Sequence, residues 1–144
     1  MKKTCVAVLC WCVIVLSLPG CGGKAVSNDV EFAKSAIGLL AKGDLSVEEM
    51  IDWNNFQAMG FNVGTSYSAM PNDTAKASFR KSFISSFSAS FQKTGATAES
   101  LSNWRVLSQD SSKTIVVADT IKKTTFSFTV VKRDGKQKIS AMNQ

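Results

Sequence analysis

Near Asn103 the apolar residues change period, from the three-to-four-residue recurrence of a helix to the two-residue alternation of a strand, and they keep it to the C-terminus. Asp134-Gly135 is a two-residue hairpin turn inside that alternating half. Pairing Arg133 with Lys136 sets Val130 opposite Ile139, Phe128 opposite Ala141 and Thr129 opposite Ser140. In this register Phe126, Phe128, Val130, Ile139 and Ala141 share an apolar face and the other face is mostly polar, so turn and pattern agree. An earlier pair joins between Asp110 and Lys113. Opposing Ser108 to Ile115 and Val106 to Val117 puts Trp104 against Asp119. The Lys122-Lys123 link has neither Gly nor Asn, which predicts a looser turn or a bend.

The first half reads as helices. Val30, Ala33, Ile37, Leu40 and Ala41 recur at helical spacing, which predicts a helix from about Asn28 to Lys42 stopped by Gly43. Ser46-Val47-Glu48-Glu49 has capping-box spacing, so a second helix is expected from Val47, with Val47, Met50 and Ile51 inward and Trp53 or Phe56 closing that face. Gln57 to Met70 has no clear period and reads as loop, with a short extended piece around Phe61 to Val63. Pro71-Asn72-Asp73-Thr74 signals a third helix, ended by Gly95. It carries Phe79, Phe83, Phe87 and Phe91 at four-residue steps, a stripe that drifts slowly round one face. That stripe reads more readily as core-facing than as an aromatic ligand box. Serines crowd this segment and are poor helix formers, so burial of the phenylalanines is expected to hold it.

Ahead of the helices, Lys2 and Lys3 precede an apolar run from Cys5 to Leu18. Fourteen helical residues reach about 21 Å, short of a bilayer core of roughly 30 Å. The length suits a secretory signal over residues 1–20 better than a spanning helix. The run ends at Leu18-Pro19-Gly20-Cys21, which resembles the lipobox of bacterial lipoproteins, with Pro19 where a small residue is usual. Of four cysteines, Cys5, Cys10 and Cys12 leave with the signal, so no intramolecular disulfide remains. A lone exported thiol is a liability unless modified. The alternative is an ordinary cleaved signal with a chance cysteine. The resemblance implies lipidation of Cys21 by two or more acyl chains, enough for stable anchoring where one chain is marginal. Gly22 stands where aspartate would imply inner-membrane retention. By that analogy the localisation is the bacterial cell envelope, at the outer membrane facing the periplasm in a Gram-negative cell. Residues 21–27 then form a lipidated polar tether, and 28–144 a single domain.

Losing Lys2 and Lys3 from 17 basic residues leaves 15 against 11 acidic, a modest +4. No basic stripe interleaved with aromatics marks a nucleic-acid partner. The element order, helices followed by an antiparallel meander, predicts an α+β fold: N-terminal helices packed on one face of a curved C-terminal sheet. That order, with Leu40-Ala41-Lys42-Gly43-Asp44 after the first helix and the closing hairpin Lys132 to Ile139, is similar to the cystatin-like, nuclear-transport-factor-2-like superfamily.

The mature chain has no histidine and, once Cys21 is lipidated, no free thiol. The commonest general base, metal ligand and thiol nucleophile are therefore missing, and no metal, cofactor or catalytic residue is expected. Asp29 with Glu31, and Glu48 with Glu49 and Asp52, read as exposed helix starts. Asp119 interrupts an apolar row of Ile115, Val117 and Ile121. The superfamily resemblance implies a cone-like cavity between sheet and helix, which Asp119, Trp104, Tyr67, Phe83 and Phe87 would line. Buried there, Asp119 would have a raised pKa and could serve an isomerase- or dehydratase-type reaction. The plainer alternative pairs it with Arg105 or Lys122 at a strand end, or disrupts the alternation with a bulge. The first expectation is a non-enzymatic binding or accessory domain, tethered to a membrane through Cys21, whose partner is a small apolar ligand or an envelope protein. A purely structural envelope protein is the third reading.

Overall fold

A computed structural model describes residues 23–144. The signal segment 1–20 and Cys21 lie outside the described residues. The fold is α+β, with helices against an open six-stranded, mostly antiparallel sheet.

Helix α1 runs from Gly23 to Lys42, so residues 23–27, read from composition as tether, are helical. Ala33, Ala36, Ile37 and Leu40 are its fully buried face, at the spacing of one helical stripe. The helix stops because Gly43 takes a left-handed φ of 72°. Its N–H then reaches the Leu40 carbonyl while the Asp44 N–H reaches that of Leu39. Asp44, not Ser46, caps the segment after Gly43. Its carboxylate accepts from the Ser46 N–H, and Leu45–Met50 is a single 3-10 segment instead of an α-helix. Val47 is buried beneath it, and Ile51, Trp53 and Phe56 continue the core.

The unpatterned stretch contains more structure than its sequence announces. Strands β1 (Gln57–Ala58) and β2 (Phe61–Asn62) form a small hairpin, which leads into the short helix α2 (Val63–Ser68). Helix α3 spans Asp73–Lys93, and the Asn72 carboxamide oxygen accepts from the Ala75 N–H at its start. Strands β3 (Ser102–Gln109), β4 (Lys113–Asp119), β5 (Thr125–Arg133) and β6 (Lys136–Asn143) complete the chain. The sheet order is β2-β1-β6-β5-β4-β3, and only the β1–β6 pair is parallel.

The final hairpin has Arg133 opposite Lys136 and Val130 opposite Ile139. Beyond that point the expected register is one residue out. Thr129 opposes Ala141 and Phe128 opposes Met142, because a bulge inserts Ser140. The bulge turns Met142 inward, fully buried, in place of Ala141. In the β3–β4 pair Ser108 opposes Ile115, but Val106 meets Val116 and Ser102 meets Asp119, again across register shifts. The β4–β5 link is tighter than its composition suggests. Lys123 adopts a φ of 60°, and the Thr120 N–H bonds the Thr124 carbonyl.

Helix α1 lies across β3 to β6, over Val116, Ala118, Phe126, Phe128, Val130 and Ile139. Near its start the Asp29 carboxylate accepts from Thr114 Oγ1 at 2.7 Å and from the Gln137 side-chain amide. Asp29 and Asp52, read as exposed, are both buried, and Asp52 accepts from Arg133 Nε at 2.8 Å. Helix α3 rests on α1, on α2 and on the 3-10 segment. Held this way, α3 leaves a groove open along one of its sides.

Candidate functional site

The buried residues of α3 are Ile84 and Ser88. Phe83, Phe87 and Phe91 each lie one residue before or three after these positions, about 60–100° round the helix, and all three are half-buried. The stripe that four-residue spacing identifies packs with one side, as expected: Phe83 meets the buried Trp53 and Phe56 edge-on at 5.7 and 5.5 Å, and Phe79, Phe87 and Phe91 also rest on the core cluster, while the other side of the stripe stays uncovered. It forms the wall of a groove, with the Phe87 and Phe91 rings stacked 5.8 Å apart at 16° and the Phe83 and Phe87 rings 6.3 Å apart at 29°. Between Phe83 and Phe91 the wall runs about 12 Å along the helix.

Facing this wall are Ala58 and Val63, then Leu101, Phe126 and the β4–β5 turn from Thr120 to Lys122. The space enclosed is about 800 Å³. Its rim holds large apolar side chains in water: Phe61 and Ile121 are each 75% exposed, and Met59 is 40% exposed. Residues that fold without burying such surface mark a patch that something else covers. Local backbone geometry puts them there. Met59 and Gly60 are a two-residue turn with positive φ at both positions, 50° and 81°, which closes a tight hairpin and presents Met59 and Phe61 beside the groove. Ile121 stands on the compact turn that Lys123 closes.

Among the described residues, the groove's lining contains no Asp or Glu side chain; its polar edge is made of Gln144 and of hydroxyls, among them Ser86, Ser90, Ser100 and Thr120, and its one charged side chain is that of Lys122. A second cavity, about 560 Å³ and mostly polar, lies at the other end of the sheet near Asp29, Lys113 and Gln137.

Of the five residues that the sequence assigns to a pocket, Phe83 and Phe87 line the groove and three do not. Tyr67 packs against Trp53 and Phe79 with ring centroids 5.8 and 6.0 Å away, and its hydroxyl accepts from Arg80 at 3.0 Å. Arg80 in turn bonds Glu48, so Tyr67 belongs to the junction of α2, α3 and the 3-10 segment. Trp104 stacks on Phe128 at 5.3 Å and donates from its indole nitrogen to the Leu101 carbonyl. Asp119 faces away from the helices, because Val116 and Ala118 are the residues of β4 turned to the core. Its carboxylate accepts from the Asn103 amide at 3.2 Å and from Arg105 at 3.1 Å. These bonds, Asn103 first, hold it below its ordinary 3.8, opposite to the rise that burial would cause. An acid held ionised at the sheet's outer rim is not the poised proton carrier that the superfamily resemblance implied.

The groove residues that sequence reasoning missed are Met59, Phe61, Leu101, Ile121 and Phe126. The Met59-Gly60 turn carried the available signal, a glycine between Ala58-Met59 and Phe61, but methionine is an unusual first turn residue and the strands are only two residues long. No protein-family model matches the chain, and neither a curated protein nor a solved structure matches it significantly.

Proposed function

We propose that this chain is a lipid-anchored, non-enzymatic binding protein of the bacterial cell envelope, and that the groove beside α3 is where it takes an apolar ligand. The observation that carries the reading is the apolar rim: Met59, Phe61 and Ile121 exposed around an aromatic wall that the fold leaves uncovered. A trough of about 800 Å³ is within the ~300–1,000 Å³ of small-molecule sites. With Asp119 paired at the outer rim, the isomerase- or dehydratase-type alternative loses the acid on which it depended.

Anchoring through Cys21 rests on the basic start, the apolar run and Leu18-Pro19-Gly20-Cys21. Asp29, eight residues past Cys21, is bonded at the end of the sheet formed by Thr114 and Gln137, whereas the groove lies at the other end of β4, by Thr120 to Lys122. A seven-residue strand separates the two ends by about 20 Å. This supports a groove turned away from the anchoring bilayer, open to the periplasm if the membrane is an outer one. A nuclear-transport-factor-2-like domain is the finer fold reading. It is supported by a long first helix laid over an antiparallel sheet that ends in the Asp134-Gly135 hairpin.

Native mass spectrometry of the full chain extracted from its own envelope tests both parts. The reading expects a covalent acyl mass that disappears in Cys21→Ser. It also expects a non-covalent apolar molecule that is lost in Ser90→Trp, where an indole fills the trough. A bare thiol at position 21 would overturn the anchor, and an empty trough in the wild-type chain would overturn the ligand.

A further inference from the structure

We infer that the ligand is a long-chain fatty acid, its tail laid along Phe83, Phe87 and Phe91 and its carboxylate held by Lys122. The inference rests on the reading of the groove as a ligand site and adds the ligand's chemical class. The shape of the wall suits a tail. The three rings step along one helix face, successive centroids 6.3 and 5.8 Å apart, so the wall is an unbroken run of aromatic carbon. An extended polymethylene chain can lie against such a wall over the roughly 12 Å from Phe83 to Phe91. The volume is that of a site for one small ligand, which suits a single tail.

The charge on its lining suits an acid. Among the described lining residues Lys122 is the one charged side chain, and no Asp or Glu side chain accompanies it. It takes part in none of the ion pairs among the described residues, in contrast to Arg80, Arg105 and Arg133, each of which holds a carboxylate of this chain. Lys123 comes next on the same exposed turn. A cation on the lining of an apolar trough matches an anionic head on an apolar tail. Phe61, on β2, and Ile121, on the β4–β5 turn, stand at the mouth and are positioned to cover the tail.

The experiment uses the full chain in phosphatidylcholine nanodiscs at neutral pH, with two photoreactive probes of equal length: a diazirine-bearing hexadecanoic acid and the corresponding hexadecanol. After irradiation, labelled peptides are mapped. The acid is expected to label the peptides that contain Phe83 to Phe91 and Met59 to Phe61. Lys122→Glu, a substitution on an exposed turn, should lower that labelling roughly tenfold and leave hexadecanol labelling unchanged. Equal labelling by the acid in wild type and Lys122→Glu would overturn the fatty-acid assignment while leaving an apolar groove ligand in place. No labelling of these peptides by either probe would overturn the groove reading itself. A cross-link from Phe61 or Ile121 to another polypeptide would overturn the inference in favour of a protein cover.

Discussion

Ser88, buried in the middle of α3, donates its hydroxyl to the Ala41 carbonyl at 2.9 Å, across 47 positions of sequence. Ala41 is in the last turn of α1, where carbonyls lack helical partners. The bond therefore satisfies an orphan acceptor and sets how closely α3 approaches α1. Gln92 reinforces it, reaching the same carbonyl and Ser88 Oγ. Ser88→Ala is expected to cost about 1 kcal/mol in urea unfolding, the net worth of a buried hydrogen bond. A change below a few tenths would mean that the bond does not fix the helix.

Asp52 is a buried carboxylate served by Arg133 Nε at 2.8 Å and by the Asn55 amide at 3.1 Å. Arg133→Gln leaves it with the amide alone. Half of the arginine side chain is exposed, so water replaces part of what is lost. The expected loss is about 1–2 kcal/mol, less than the 3–5 typical of a fully buried pair. Chemical denaturation of the variant beside Asp52→Asn and the double variant separates the pair's coupling from each side chain's own effect.

Gly64 is required by space. A Cβ there would lie 2.5 Å from the Asn54 carbonyl oxygen and 3.0 Å from the Phe56 nitrogen, both backbone atoms. Gly64→Ala should therefore destabilise by about 2 kcal/mol or more. The clash falls at the start of α2, next to Val63, so apolar probe binding in the groove should weaken with it. Thermal unfolding and dye binding on one sample check both.

Acid titration tests the position of Asp119. Its folded-state pKa is depressed, so the stability it contributes is present above the unfolded value, near 4, and disappears as pH falls below that toward the folded one. Asp110, held down by Ser112 and the Lys113 N–H, contributes with the same sign. Asp119→Asn should flatten the dependence of melting temperature on pH below about pH 4 and leave it unchanged from pH 5 to 8. A variant whose dependence changed near pH 6 would indicate a buried acid with a raised pKa, as the cone-like cavity required.

The sequence makes the sheet legible where a turn signal and the alternation coincide. Asp134-Gly135 locates the last hairpin, and Val130 opposes Ile139 as the turn implies. It fails a few residues further on, because a bulge leaves no mark in a pattern where Ser140 and Ala141 are both small. On β4, Val116, Val117 and Ala118 are all buried, so alternation cannot tell which face Asp119 takes. The groove is the least legible part. Four-residue spacing locates the phenylalanines on one face of α3. What lies opposite that face depends on α3 docking on α1 through Ile84 and Ser88, which is tertiary information. The two short strands that complete the rim are too brief to show a period.

Phe87 and Phe91 line an open trough with the side of the stripe that the core leaves uncovered; on this the proposed function depends. Urea unfolding of ligand-free Ile84→Ala and Phe87→Ala tests it most directly. Ile84 is fully buried, and its truncation should cost about 3 kcal/mol through lost transfer energy and a residual cavity. Phe87 is partly exposed at the edge of the open trough, so its truncation leaves no closed cavity and should cost about 2 kcal/mol. A loss for Phe87→Ala equal to or greater than that for Ile84→Ala would make the stripe core, and would contradict the trough.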